Sequence, residues 1–161
     1  MTDLLPLLQE FHRDKLQELV RHEAAARLIR QYDANNTYQY IVNREETQLS
    51  WLATAIVELG GAVVDAPAEP SRAESKSAAA TRAVIDEDAQ GAQAFVDRWR
   101  PRVDAMANAR HRGMLRVILG ETLEQKRFFE QALAGRTDLL GRRTADVGTL
   151  VGEVLPTRWI E

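Results

Sequence analysis

Apolar residues recur along this chain at steps of three and four, the spacing that gathers side chains on one face of a helix. From about Asp3 to Gln31 they are Leu5, Leu8, Phe11, Leu16, Leu19 and Val20, in a segment rich in Leu, Ala, Glu and Arg. Pro6 stands near its start, where a missing N–H does least harm. The run Asp33-Ala34-Asn35-Asn36-Thr37 reads as a turn and N-cap that opens a second helix over 37–59, stopped by Gly60-Gly61. Residues 60–85 carry Pro67 and Pro70 among Ala, Ser and charged residues and read as a long crossover, with a helical turn placed in 73–80. A third helix is predicted over 86–108, kinked at Pro101, and a fourth over 112–134, stopped by Gly135. The tail, 136–161, carries Gly141, Gly148, Gly152 and Pro156 and reads as irregular structure lying on the bundle, anchored by Trp159. Strand patterning is nearly absent. The expected fold is all-α: a single-domain four-helix bundle of two antiparallel hairpins joined by a long crossover.

Polar residues interrupt the stripes at informative places. In the second helix Ile41, Glu45, Gln48, Leu52, Ala55 and Leu59 alternate steps of four and three, with two polar residues in the middle. In the fourth, Val117, Glu121, Glu124 and Phe128 repeat the pattern. One sequence offset carries Glu45 onto Glu121, Leu19-Val20 onto Phe95-Val96 and Glu23 onto Trp99, so the halves read as a degenerate repeat. Glu23 and Glu45 lie at matching distances from the first turn and are expected to face each other. With Glu121 and Glu124 they would place four carboxylates at one level, where burial without compensation costs several kcal/mol each. Metal ions, arginines or protons are the available remedies.

The layout, together with His22-Glu23-Ala24-Ala25-Ala26 and Glu45-Glu46-Thr47-Gln48 running on to Leu59-Gly60-Gly61, resembles the ferritin-like superfamily over about residues 8–134. It is most similar to rubrerythrin-type di-iron carboxylate bundles, which take one Glu from each of two helices and a Glu-x-x-His from the other two. By position, the resemblance implies that Glu23 stands for the lone Glu of the first helix. Glu45 and Gln48 stand for the first Glu-x-x-His, and Glu121 and Glu124 for the second. Trp99 falls where the lone Glu of the third helix belongs. Gln48 and Glu124 thus replace both histidines; a neutral amide is a poor iron ligand, and the Trp99 indole cannot ligate.

Two main functions follow from these substitutions. The first is a bundle that kept its frame without the di-metal chemistry, a binding or structural module with no cofactor, expected as a homodimer. Arg27, four residues after Glu23, and Arg102, three after Trp99, would then pair with the carboxylates. The alternative is an iron or manganese oxidoreductase with a reduced site of Glu23, Glu45, Glu121 and Glu124, suited to one oxygen-loving ion such as Mn²⁺ or Mg²⁺. A third reading is a small-molecule pocket between the hairpins, lined by Trp51, Trp99 and Phe128.

Composition narrows the remaining classes. The chain has 161 residues, 45% hydrophobic and 28% charged, with a formal net charge of −3. That balance favours neither nucleic acid nor an acidic membrane. The arginines at 98, 100, 102, 110, 112 and 116 are interleaved with Asp97 and Asp104 and read as a solvated helix face. Absence of cysteine removes disulfides, thiolate metal sites and thiol nucleophiles together. No apolar run approaches the length of a membrane span, and no signal peptide is evident, so the default location is the cytoplasm. His12, His22 and His111 are expected at the surface or boundary, with His22 turned about 100° away from Glu23 and off the centre. No Ser/His/Asp arrangement or phosphate-binding loop is present.

Overall fold

The computed structural model describes residues 3–63, 72, 76–136 and 139–140, and among them every regular element is a helix. Helices α1 (Leu4–Leu28) and α2 (Tyr32–Glu58) pair as one hairpin, α3 (Ala78–Asp104) and α4 (Ala109–Leu133) as the other. The chain is an all-α four-helix bundle. Of the expected tail, 136 and 139–140 are described; the rest, with Trp159 as its expected anchor, lies outside the described residues.

Two helices start earlier than the turn-forming residues suggest. α2 begins at Tyr32 because the Gln31 side chain accepts the Ala34 N–H at 2.6 Å and caps the helix. Asn35, placed in the turn by its residue type, sits in the first turn of α2 instead. Its amide donates back to the carbonyls of Ala26 (2.9 Å) and Ile29 (3.0 Å), groups the end of α1 leaves unpaired. α3 begins at Ala78, where Ser77 Oγ accepts the Ala80 N–H at 3.2 Å and a run of alanines follows. The connection therefore narrows to 59–77. Pro101 lies in the final turn of α3, where the hydrogen bond it forgoes belongs to a helix already ending. Gly60 and Gly135 take φ of +81° and +87°, the left-handed conformation that closes α2 and α4.

Cross-helix contacts establish the directions. Gln9 donates to the Ala62 carbonyl at 3.0 Å, which joins the start of α1 to the end of α2. Arg102 holds Glu10 at 2.8 Å, Arg110 lies 3.5 Å from Glu58, and Arg82 donates to the Leu133 carbonyl at 2.8 Å. Every packed neighbour is thus antiparallel, and α2 and α3 run the same way on a diagonal. The connection between them must travel the length of the bundle, about 40 Å for helices of this size.

The interior is apolar at both ends and polar between. Leu8, Phe11, Leu52, Ile56, Trp99, Val103, Leu115 and Ile118 fill one end. Ala25, Ile29, Tyr38, Ile41, Val84, Ile85 and Phe129 fill the other. Between the two lie Lys15, His22, Glu45, Gln48, Thr122 and Gln125, all buried. No helix among the described residues is long and apolar enough to cross a membrane.

Candidate functional site

The polar layer is built from one stripe on each of three helices. On α1, Leu8, Phe11, Lys15, Leu19 and His22 follow at steps of three and four and all face inward. On α2 the stripe runs through Glu45 and Gln48, and on α4 through Leu115, Ile118, Thr122, Gln125 and Phe129. These stripes bring an amine, an imidazole, a carboxylate, a hydroxyl and two amides into the middle of the bundle interior.

Glu45 is at the centre, with none of its surface exposed. Its Oε1 is hydrogen-bonded to His22 Nδ1, and its Oε2 lies 3.0 Å from Lys15 Nζ. Lys15 also donates to Thr122 Oγ1 at 3.4 Å and lies 5.2 Å from the centroid of the Phe95 ring. Thr122 passes its own proton to the Ile118 carbonyl at 2.8 Å, leaving its oxygen to accept from Lys15. Burial disfavours the charged form of His22, but the carboxylates of Glu45, Asp88 and Glu18 outweigh it and hold the ring above its usual pKa. Burial likewise opposes ionisation of Glu45, and His22 and Lys15 together hold its carboxyl below the usual range. The triad sets one carboxylate between an amine and an imidazole, each engaging a different oxygen.

Glu121 sits beside it, a quarter exposed. Arg44 donates to Glu121 Oε1 from Nε at 3.1 Å and from Nη2 at 2.6 Å, and Gln48 Nε2 donates to Oε2. Both Glu121 oxygens are therefore engaged by the protein. The carbonyl oxygens of Gln48 and Gln125 are buried with no partner, so this layer carries spare acceptors.

A second buried cluster joins α2, α3 and the crossover. Tyr38 donates to Asp88 Oδ2 at 2.6 Å, and Arg72 lies 2.9 Å from Asp88 Oδ1. Burial and the Asp88 carboxylate push the Tyr38 hydroxyl well above its usual pKa, keeping it a donor. Arg72 also donates to the carbonyls of Arg21 (2.8 Å) and Val84 (3.3 Å) and to Glu87 (3.2 Å).

The sequence-derived candidates divide sharply. Glu45 and Gln48 are at the centre, with Glu121 next to them. Glu23 is half-buried on the outer α1–α2 surface, where it shares a hollow of about 650 Å³ with Arg27 and Glu46. Glu124 is exposed, as is Val117 at 51%, because the buried stripe of α4 runs one residue later through Thr122 and Gln125. The four carboxylates therefore do not meet at one level. Arg102 does not reach this layer either: it holds Glu10 through both terminal nitrogens, at 2.9 and 2.8 Å, and covers Trp99 at 4.3 Å. Trp99 is fully buried against Phe11, with its Nε1 donating to Asp14 at 2.9 Å. Phe128 belongs to the opposite apolar end, beside Tyr40. Trp51 lines a hollow between α2 and α4, apart from the other two pocket candidates.

All three histidines are buried rather than superficial. His22 is central and not off-centre, because the buried stripe of α1 passes through His22, and Glu23 is the residue turned away. The signal for Lys15 was present as well. A lysine spaced four residues from both Phe11 and Leu19 stands on an apolar face, where it needs a buried partner.

Among the described residues no group of three or more His, Asp or Glu side chains is placed to hold a metal ion. The centre is a buried ion-pair network inside a four-helix bundle. No family model, no curated protein and no solved structure matches the chain.

Proposed function

We propose that this chain is a ferritin-like bundle in which protein cations have taken over the work of a di-metal centre, and that it acts as a binding or structural module. The observation that carries the reading is Lys15 Nζ at 3.0 Å from Glu45 Oε2, with His22 on the other oxygen. The donor set does not fit a di-metal site. Glu45, fully buried, has both oxygens committed to Lys15 and His22, Glu121 has both committed to Arg44 and Gln48, and Glu23 and Glu124 point elsewhere. The single crossover that runs the bundle's length is the connection expected of a ferritin-like layout.

Glu45 is the member that holds this network: removing it strips Lys15 of its buried anion, at a cost of about 3–5 kcal/mol, whereas removing Lys15 or His22 alone leaves Glu45 the other partner. The deciding experiment is elemental analysis of protein purified without chelators, before and after reconstitution with Fe²⁺ and with Mn²⁺. Sub-stoichiometric metal under all conditions is the expected result. A stoichiometric metal that is lost in the Glu45→Ala/Glu121→Ala variant would establish a reduced-site oxidoreductase in place of this reading.

A further inference from the structure

The two hairpins show different faces to solvent. On the outer side of α3–α4, polar groups pair across the helices: Lys126 donates to Gln93 at 2.9 Å, and Arg116 lies 2.9 Å from Asp104. The outer side of α1–α2 has an apolar middle instead. Leu16 and Val20 of α1 and Ala53 of α2 are partly exposed there, and Val57 is 62% exposed. Arg13, Glu23 and Glu46 flank that middle, and none of the three is in an ion pair among the described residues.

These residues form two rows at coiled-coil spacing. On α1, Gln9, Arg13, Leu16, Val20, Glu23 and Arg27 follow at steps of four, three, four, three and four, and none is buried. On α2, Gln39, Asn43, Glu46, Ser50, Ala53 and Val57 repeat those steps, again with none buried. Glu23 and Arg27 line one hollow with Gln39, Asn43 and Glu46, which places both rows on one face. Such a run of steps reads the same from either end. The α1 row is symmetric about position 18 and the α2 row about position 48. Lys15 and His22, which straddle position 18, both reach Glu45, so the two midpoints lie within about one helical turn of each other. A single two-fold axis therefore serves both helices.

We propose that this face binds a second copy of the chain, antiparallel, with α1 against α1 and α2 against α2. About that axis Leu16 meets Val20 of the second copy, and Arg13 meets Glu23, once on each side. Arg27 falls opposite the neutral Gln9, Glu46 opposite Ser50, and Val57 opposite Gln39, so no like charges meet. A two-fold axis parallel to the helices does worse. It sets α1 against α2 at equal levels, and Glu23, which shares its level with Glu46, would then face Glu46 of the second copy. The rows are about 27 Å long and together about 20 Å wide, a footprint in the class of weak, reversible pairs. The inference stands on the outer face and not on the metal content of the centre. A metal-loaded dimer would sink the function proposed above and leave this inference; a metal-free monomer would do the reverse.

Sedimentation equilibrium of the full chain should show a reversible dimer with a Kd on the order of 10 µM. R13E and E23R each bring like charges together on both sides of the axis, and each should weaken the dimer at least about a hundredfold. Mixed in equal amounts, the two variants carry opposite charges at both contacts and should pair with each other about as tightly as the parent. That rescue requires the antiparallel register and cannot arise from misfolding. R13E that dimerises like the parent, or a mixture that stays monomeric, would overturn the proposal. A parent chain monomeric at about 300 µM would overturn it as well. The Val20 and Val57 methyls would then be shielded from a soluble paramagnetic probe if another segment of the chain lies on the face, and open if it is bare.

Discussion

Glu45 and His22 titrate in opposite senses, and their signs define a pH window. Glu45 is held below its ordinary 4.5, so its contribution to stability is present above that value and is lost as pH falls through the lowered folded pKa. His22 is held above its ordinary 6.5, so its contribution is complete below 6.5 and is lost as pH rises through the raised folded pKa. The pair therefore stabilises most between 4.5 and 6.5. His12 works against this on the acid side: burial holds it below 6.5, so protonation of the unfolded chain costs stability as pH falls. Comparison with His22→Gln removes that background. Urea unfolding of both proteins from pH 4 to 9 should show the stability difference largest near about pH 6 and shrinking toward alkaline pH. A difference that stays constant across that range would mean His22 is neutral in the fold. The residue types of this centre were legible, but not their pairing. Glu45 and Gln48 stood out on a clean stripe, whereas a lysine and a histidine on α1 were hidden by the adjacent Glu23, because a helix face read one residue out of phase still looks amphipathic.

At the scale of elements, helix existence was plain and helix starts were not. The run Asp33 to Thr37 has turn chemistry, yet Asn35 applies it from inside α2 by donating to two carbonyls at the end of α1. One side chain thus caps the outgoing helix while belonging to the incoming one. Asn35→Ala should cost about 1–2 kcal/mol, the net worth of two hydrogen bonds to otherwise unpaired carbonyls. Thermal unfolding measures the loss, and Asn35→Asp, which can accept but not donate, should restore none of it. An alanine variant as stable as the parent would show that water satisfies those carbonyls equally well. The phase of α4 failed for a related reason. Phe128 and Phe129 are both buried, so either could anchor the stripe, and choosing Phe128 placed Glu121 and Glu124 inward in place of Thr122 and Gln125. The repeat between halves shifts with it: the buried positions match as Glu45 with Thr122, Gln48 with Gln125 and His22 with Trp99, one residue beyond the offset that the carboxylates suggested.

For the molecule as a whole, parallel α2 and α3 demand a connection that spans the bundle, and Arg72 is where that connection is tied down. Its guanidinium reaches the Arg21 carbonyl of α1, the Val84 carbonyl, Glu87 and Asp88 of α3, and through Asp88 the Tyr38 hydroxyl of α2. Three helices and the crossover meet at one buried cation whose side chain is 5% exposed. Burial opposes its charge, but Asp88 outweighs that and raises its pKa further, so the tie is permanent at any physiological pH. Arg72→Ala removes the cation and leaves Asp88, itself 1% exposed, with Tyr38 as its one remaining partner among these groups. The expected loss is about 3 kcal/mol, and Arg72→Ala/Asp88→Asn should recover much of it because the stranded charge is gone. Hydrogen exchange separates a local from a global effect: opening should accelerate first in the opening turns of α3, around Val84 and Asp88, before the amides near Glu45 respond. Equal acceleration at both places would mean the tie stabilises the bundle as one unit, and no change at either would mean the crossover is held without Arg72.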